Sequence, residues 1–321
     1  MSISALPCAH YYQGQKGGLT LMHQAKGRSL HFKMQMLGIA FVVPAAILIA
    51  FTVIIPIGWN FVLSFANWDG YSTLKMVGLD NYIELFHDSV TLKGFQYSIF
   101  IAVVSSLITI LLGLILALMV YQTRSREGSV FRLIFFAPSM MPFIVIGLLF
   151  TFILSPDMGL LNSFFRLIGL ESLERAWLSE PGLVLWTLSA VSGWRGSGTV
   201  MMLLYTAMIS IPASMFEAAR LEGANYLHQI RMIIMPLIMP TLSLVSMLVL
   251  IGSFKTYDIV FTMTKGGPGD YSKVVPIRML DVGFNYNEYG YAAAIGVMFT
   301  ILVSIIIFIS RRLARGDVYE Y

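Results

Sequence analysis

Apolar residues in this chain gather into six uncharged or nearly uncharged runs: Met34 to Trp68, Gly94 to Thr123, Leu133 to Pro156, Pro181 to Phe216, Met232 to Phe254 and Tyr289 to Ser310. Each exceeds the roughly 20 residues that a helix needs to cross about 30 Å of hydrocarbon. The pattern therefore predicts an all-α integral membrane protein with six transmembrane helices. No internal repeat, low-complexity tract or soluble linker interrupts it. The predicted organisation is one membrane domain over 34–310, between a tail of residues 1–33 and a second tail of residues 311–321.

Between the fourth and fifth runs lies the most informative polar segment, Glu217 to Pro240. Ile211-Pro212 offers a helix start, because proline at a first helical position loses no needed hydrogen bond and its φ already suits the helix. Ser214 precedes Glu217 by three residues, the spacing of a capping box, and is a second possible start. Ala218 and Ala219 favour a helix and carry almost no side chain, so a partner's surface can approach the backbone there. Gly223 is the expected end of this short helix, and Asn225 can cap a second one through Tyr226, His228 and Arg231. Its shape would suit a lever lying across a membrane surface, but taken by itself the segment reads first as an ordinary helical hairpin loop.

Composition agrees with the pattern. The chain is 57% hydrophobic and 12% charged, with a mean hydropathy of +0.77, far more apolar than a soluble domain of this length. Orientation is read from the cations. With a cytoplasmic N-terminus, the inside segments hold twelve Lys and Arg and the outside loops seven, while acidic residues divide eleven outside to five inside. Both termini and the Glu217 loop are thus expected in the cytoplasm. The pI near 9.1 reflects this orientation and carries no nucleic-acid inference. Residues 1–33 lack the apolar core of a signal peptide and are expected to form a tail. The single cysteine, Cys8, excludes an internal disulfide. His10, His23, His31, His87 and His228 show no metal-ligand spacing. The glycine-rich loop that cradles ATP phosphates is missing from the sequence, as is any nucleophile, base or paired-carboxylate constellation, so no cofactor is expected in this chain and its energy must come from elsewhere.

Glu217-Ala218-Ala219, two residues, an acidic residue, then Gly223-Ala224, Ile233, Pro236 and Pro240 resemble the EAA loop of binding-protein-dependent ABC import permeases. The chain departs from the usual pattern with Glu222 in place of aspartate, and with Ile230 and Met235 where phenylalanine and leucine are frequent. Those changes keep charge or apolarity. Trp194-Arg195, Phe254 to Asp258, Thr264 to Pro268 and Gly290 to Ala294 extend the likeness to the carbohydrate-uptake branch, the maltose and glycerol-3-phosphate type. The resemblance implies a type I importer permease whose cytoplasmic EAA helix sits in a groove of an ATPase subunit. Its ATPase-coupling residues would be Glu217, Ala218, Ala219, Glu222, Gly223 and Ala224. It further implies a second, non-identical permease, two cytoplasmic ATP-binding subunits carrying ATP and Mg²⁺, and an extracytoplasmic solute-binding protein meeting the loops Trp59 to Phe95 and Lys265 to Glu288.

Ionisable groups inside the spans are the default functional candidates, since each costs about 3 kcal/mol on insertion scales unless water or a partner receives it. Arg195 lies near the middle of its run, beside Trp194 and within Ser192-Gly193-Trp194-Arg195-Gly196-Ser197-Gly198. The small residues let another helix approach or the backbone unwind beside a cavity. Arg195 should face inward, either to touch substrate or to bond carbonyls or acids that hold helices together. Trp194 is the expected sugar contact, its indole offering an apolar face and one donor. Lys255 and Asp258, three apart, could share a helical face and pair with each other or with Arg195. The preferred expectation places Lys255 at the outer surface, with Tyr257 as an interfacial aromatic. The substrate path implied by the resemblance takes in Trp194, Arg195, Gly196, Phe254, Lys255, Tyr257 and Asp258. A cation after this tryptophan also resembles neutral-sugar members, so at this level the charge does not mark an acidic substrate. The alternatives are an ion- or proton-coupled secondary transporter, for which only Asp258 offers a carboxylate, and an intramembrane enzyme, for which the spans hold no reactive set.

Overall fold

The computed structural model describes residues 34, 36–123 and 125–313. The predicted tail 1–33, with Cys8 and three of the histidines, lies outside the described residues, as do residues 314–321. The chain divides into two units, Met1–Asn60 and Phe61–Tyr321. In the first, the described residues belong to helix α1 (Met36–Leu63), an apolar rod with one wide turn at Ala50–Ile54.

The second unit opens on a small antiparallel hairpin, β1 (Ala66–Asn67) with β2 (Lys75–Met76), Ala66 opposite Met76. At its turn the Asp69 carboxylate accepts from the backbone N–H groups of Tyr71 and Ser72. These bonds stabilise the ionised form and hold its pKa at about 2. Helix α2 (Asp80–His87) follows, then α3 (Ser89–Gln122), the longest. Beyond it come α4 (Ser125–Met140), α5 (Phe143–Ile153), α6 (Leu160–Leu167), α7 (Leu183–Ile209) and α8 (Ala213–Leu221). The chain ends with α9 (Tyr226–Ser253), α10 (Tyr257–Thr264), α11 (Val275–Leu280) and α12 (Tyr289–Leu313).

Four of these helices, α1, α3, α9 and α12, are long and apolar enough to cross a membrane. The count reaches the expected six when each of two bent pairs forms one span: α4 with α5, at 97°, and α7 with α8, at 72°. The third run is therefore not the straight helix its apolar pattern predicted. Met141-Pro142 breaks it, because Pro142 brings no N–H to the ladder and biases Met141 away from helical backbone. Pro212 does the same between α7 and α8, standing at the N-cap of α8 in extended backbone. Ser214 is thus inside that helix rather than at its start. The expected loop Lys265 to Glu288 is not wholly irregular, since it contains α11.

The hub is the pair α3 and α7, which small residues allow to lie close. A Cβ on Gly113 would come within 2.6 Å of Val200, and one on Gly193 within 2.5 Å of Ile108. The same stretch meets α4 at Gly198, where a Cβ would collide with the Phe135 carbonyl. Helix α7 stays regular through this glycine-rich stretch, so close approach, not unwinding, is what the small residues provide. One core joins α3, α5, α7 and α10 through Ile101, Ile146, Leu188, Val191, Ile259 and Val260. A second joins α3, α7, α8 and α9 through Ala117, Val200, Leu204, Met208, Phe216 and Ile234.

Candidate transport cavity and coupling loop

At the bend after α7, α8 carries the Glu217 segment. Phe216 is buried and its ring meets that of Tyr121 at 6.0 Å, fixing α8 to the end of α3. Gly223 follows α8 at φ +82°, a backbone that side chains rarely adopt. Asn225 then caps α9, its side-chain oxygen accepting from the His228 N–H at 2.8 Å. Tyr226 donates to the Leu118 carbonyl at 3.2 Å. The segment is thus short, rigid and tied at two points to α3. Ala218, Ala219, Glu222, Gly223 and Ala224 line one open groove of about 630 Å³ together with His228 and Met232. Glu217 is exposed beside it.

A second constellation lies at the centre of the helices. Arg195 is twelve residues from the start of α7 and fourteen from its end. Its Nε and Nη2 donate to the Met141 carbonyl at 3.2 and 2.8 Å, and Nη2 also reaches the Ser139 carbonyl at 3.3 Å. These are carbonyls at the α4–α5 break, where a helix end leaves acceptors without intrahelical partners. The guanidinium also lies over the Phe143 ring, 3.6 Å from its centroid. In return, the Ser139 hydroxyl donates to the Arg195 carbonyl at 2.6 Å and accepts from the Thr199 N–H at 3.2 Å. Arg195 is a clamp between α7 and the broken span. Of its two expected roles, the carbonyl-bonding one is present.

Arg195 and Gly196 border an open cavity of about 460 Å³, with Ser105 and Thr109 of α3, Ser192 of α7 and Ser253, Lys255 and Thr256 at the α9–α10 break. Lys255 stands two residues beyond the end of α9. Its neighbour Ser253 accepts a hydrogen bond from Ser106 at 3.0 Å, and Ser106 is seventeen residues from one end of α3 and sixteen from the other. Lys255 therefore stands level with the middle of α3 and not with either end of that helix. The less favoured possibility, a pairing with Asp258, is not met, because α9 stops at Ser253 and α10 starts at Tyr257, so the two residues do not share a helix face. Among the described ion pairs neither Lys255 nor Asp258 appears.

The other expected path residues are not gathered here. Adjacent helical residues point about 100° apart, and Trp194 faces a different, apolar groove of about 450 Å³ with Phe150, Trp177 and Trp186. Its ring meets Phe150 edge-on at 5.4 Å. Phe254 is buried against Phe299, Tyr257 stacks on Phe261 at 5.2 Å, and Asp258 is exposed.

Sequence reasoning missed a polar cluster at the N-terminal end of α3. Asp88 caps that helix through the N–H groups of Val90 and Thr91, and accepts from Arg278 at 2.8 Å and Tyr291 at 2.9 Å. Burial opposes the charge, but the bonds from Thr91, Arg278 and Tyr291 outweigh it and hold the carboxyl well below the ordinary aspartate range. Its members are about two hundred positions apart, so no local signal marks them.

Residues 109–316 match the family described as binding-protein-dependent transport system inner membrane component. The Probable ABC transporter permease protein YurN of Bacillus subtilis (strain 168) is 36% identical over 264 residues, covering 82% of this chain and 90% of that protein. The diacetylchitobiose uptake system permease protein NgcF of Streptomyces coelicolor is 28% identical, covering 90% and 86%. In fold, the chain is similar to one in the crystal structure of a bacterial ABC transporter that imports the acidic polysaccharide alginate. The TM-score is 0.77 at 20% identity, over 88% of this chain and 96% of that one.

Proposed function

The chain belongs to the binding-protein-dependent transport system inner membrane components, and from that membership we propose that it forms the carbohydrate pathway of an ATP-driven importer. The observation that carries the reading is the coupling loop. Between two long apolar helices, the Glu-Ala-Ala segment folds as a short helix closed by a positive-φ glycine and pinned to α3, the helix that also lines the central cavity. A push on α8 is thereby transmitted to the cavity wall as a rigid-body movement instead of being lost in a soft loop.

In this reading α8 faces the cytoplasm and docks on one of two ATP-binding subunits, which hold ATP and Mg²⁺. A companion permease completes the pathway, and a solute-binding protein on the other side delivers the substrate. Nucleotide and substrate then bias one two-state element, the opening of the cavity to either side. The carbohydrate class is supported by relatives such as the diacetylchitobiose permease and by a cavity rich in hydroxyl groups. The ion-coupled alternative is not favoured, since Asp258, the carboxylate it would use, is exposed and outside the cavity.

The test is hydrolysis by the purified complex. With Glu217→Ala or Gly223→Val, ATP turnover should lose its response to substrate-loaded binding protein while the subunits still assemble. An unchanged response would remove the lever role, and a chain that purifies without any ATPase would remove the importer reading itself.

A further inference from the structure

Lys255 carries a charge that none of the ion pairs among the described residues uses. It sits at the α9–α10 break, level with the middle of α3, and its side chain is exposed into the central cavity. Among the described residues no carboxylate lies within ion-pair distance of it, and no Asp or Glu lines the cavity. An ammonium group at that depth is costly, by about 3 kcal/mol on insertion scales, unless something answers it. Arg195 on the same cavity differs, because its Nε and Nη2 donors are already directed to the carbonyls of Ser139 and Met141.

The rest of the lining separates sugar chemistry from acid chemistry. Thr109 and Ser253 donate their hydroxyl protons to carbonyls of their own helices, Ser105 and Val249. Their remaining lone pairs suit the hydroxyl donors of a sugar. Ser192 is different, since its Oγ is buried without any partner at the cavity edge. A free hydroxyl donor and a free ammonium on one cavity form a site for an acceptor that carries negative charge.

We propose that the central cavity takes an acidic carbohydrate, and that Lys255 holds its carboxylate or phosphate group during passage while the lining hydroxyls hold its neutral hydroxyls. The proposal rests on the carbohydrate-importer reading and narrows its substrate to a charge class. A lysine suits a transit site. It binds an anion as a compact point charge on a flexible stem, whereas an arginine fork would hold the same group in a fixed bidentate geometry.

The experiment uses the whole complex, purified from native membranes with its ATPase subunits and companion permease, placed in lipid nanodiscs and supplied with its binding protein. ATP hydrolysis is measured with maltotriose, trigalacturonate and glucose 6-phosphate, so that neutral, carboxylated and phosphorylated probes are compared in one preparation. Wild-type complex should respond to an acidic probe and less or not at all to maltotriose, and the two acidic probes identify which anion is read. Lys255→Met should weaken the acidic response about tenfold or more, the loss expected for one charge-assisted hydrogen bond, and Lys255→Arg should keep most of it. A response no greater to acidic probes than to maltotriose overturns the proposal while leaving the importer reading intact. Loss of assembled complex in Lys255→Met, with all responses falling together, also overturns it and assigns Lys255 to an ion pair with the companion permease. Failure of any ATPase to co-purify would instead defeat the importer reading.

Discussion

Arg195 and Lys255 border the same cavity, yet one gives its Nε and Nη2 donors to protein carbonyls and the other is answered by no carboxylate among the described residues. Arg195 repairs a broken helix, giving its donors to carbonyls that the α4–α5 bend would leave unpaired. Lys255 stands at the α9–α10 break, whose chain makes no use of its charge. The difference teaches that a cation inside a membrane protein is not a functional residue by virtue of its charge alone. What matters is whether its hydrogen bonds have been spent on the fold.

The largest effect expected from breaking this comparison is at Arg195. Arg195→Met would orphan the carbonyls of Ser139 and Met141 at a bend that cannot satisfy them internally. The loss should be about 2 to 4 kcal/mol, as expected for two unsatisfied buried acceptors. Thermal denaturation of the complex in nanodiscs should show a clear drop for Arg195→Met and a smaller one for Arg195→Lys, which supplies charge without the fork. A Lys255→Met complex should melt close to wild type. If Lys255→Met were the less stable of the two, the contrast would be reversed.

Next in size is the close approach that brings Arg195 to the bend. Gly198→Ala would drive a methyl group into the Phe135 carbonyl on α4, separating α7 from α4 at a cost of about 1 to 3 kcal/mol. Cysteine cross-linking between α4 and α7 should fall in proportion. Undiminished cross-linking and unchanged melting would mean that the helices shift to absorb the methyl and that the clamp does not depend on this contact.

Six apolar runs and the short Glu217 helix were legible because length and local chemistry write them directly: a bilayer needs about 20 residues, and a glycine with positive φ ends a helix wherever it stands. The bends were harder. Leu133 to Pro156 stays apolar through Met141-Pro142, and hydropathy does not register a 97° turn. Lys255 is a related case, since Met232 to Phe254 is already long enough to span and length carries no information about which level of α3 the end of that run meets. The fork of Arg195 on Met141, like the meeting of Asp88 with Arg278, joins residues distant in sequence, and one sequence cannot show such pairs.

Asp88 offers a smaller effect and a control outside the spans. Its folded pKa is depressed, so the stability it contributes is fully present above the ordinary aspartate value of 3.8 and is lost as pH falls below it toward the folded value. Asp88→Asn should remove that dependence and lower the melting temperature at neutral pH. It should leave the acidic and neutral substrate responses in their wild-type ratio, because the residue lies at the end of α3 and not at the cavity. A changed ratio would mean that the cavity senses charge from beyond its own lining, and would blunt the contrast between its two cations.

The smallest stability effect belongs to Ser192, and it divides fold from function most finely. Its hydroxyl is buried without a partner, so Ser192→Ala removes no hydrogen bond from the fold and should change stability by no more than about 0.5 kcal/mol. If the hydroxyl is held for a substrate, the variant should still weaken the response to the preferred sugar, by about threefold to tenfold for one neutral hydrogen bond. Ser105→Ala and Ser253→Ala remove hydroxyls that already bond within the protein, and should move stability at least as much as they move transport. A Ser192→Ala complex that melts lower yet responds normally would place the missing partner inside the protein assembly. Ser192 would then join Arg195 among the residues that serve structure, leaving the anion-binding role to the Lys255 ammonium.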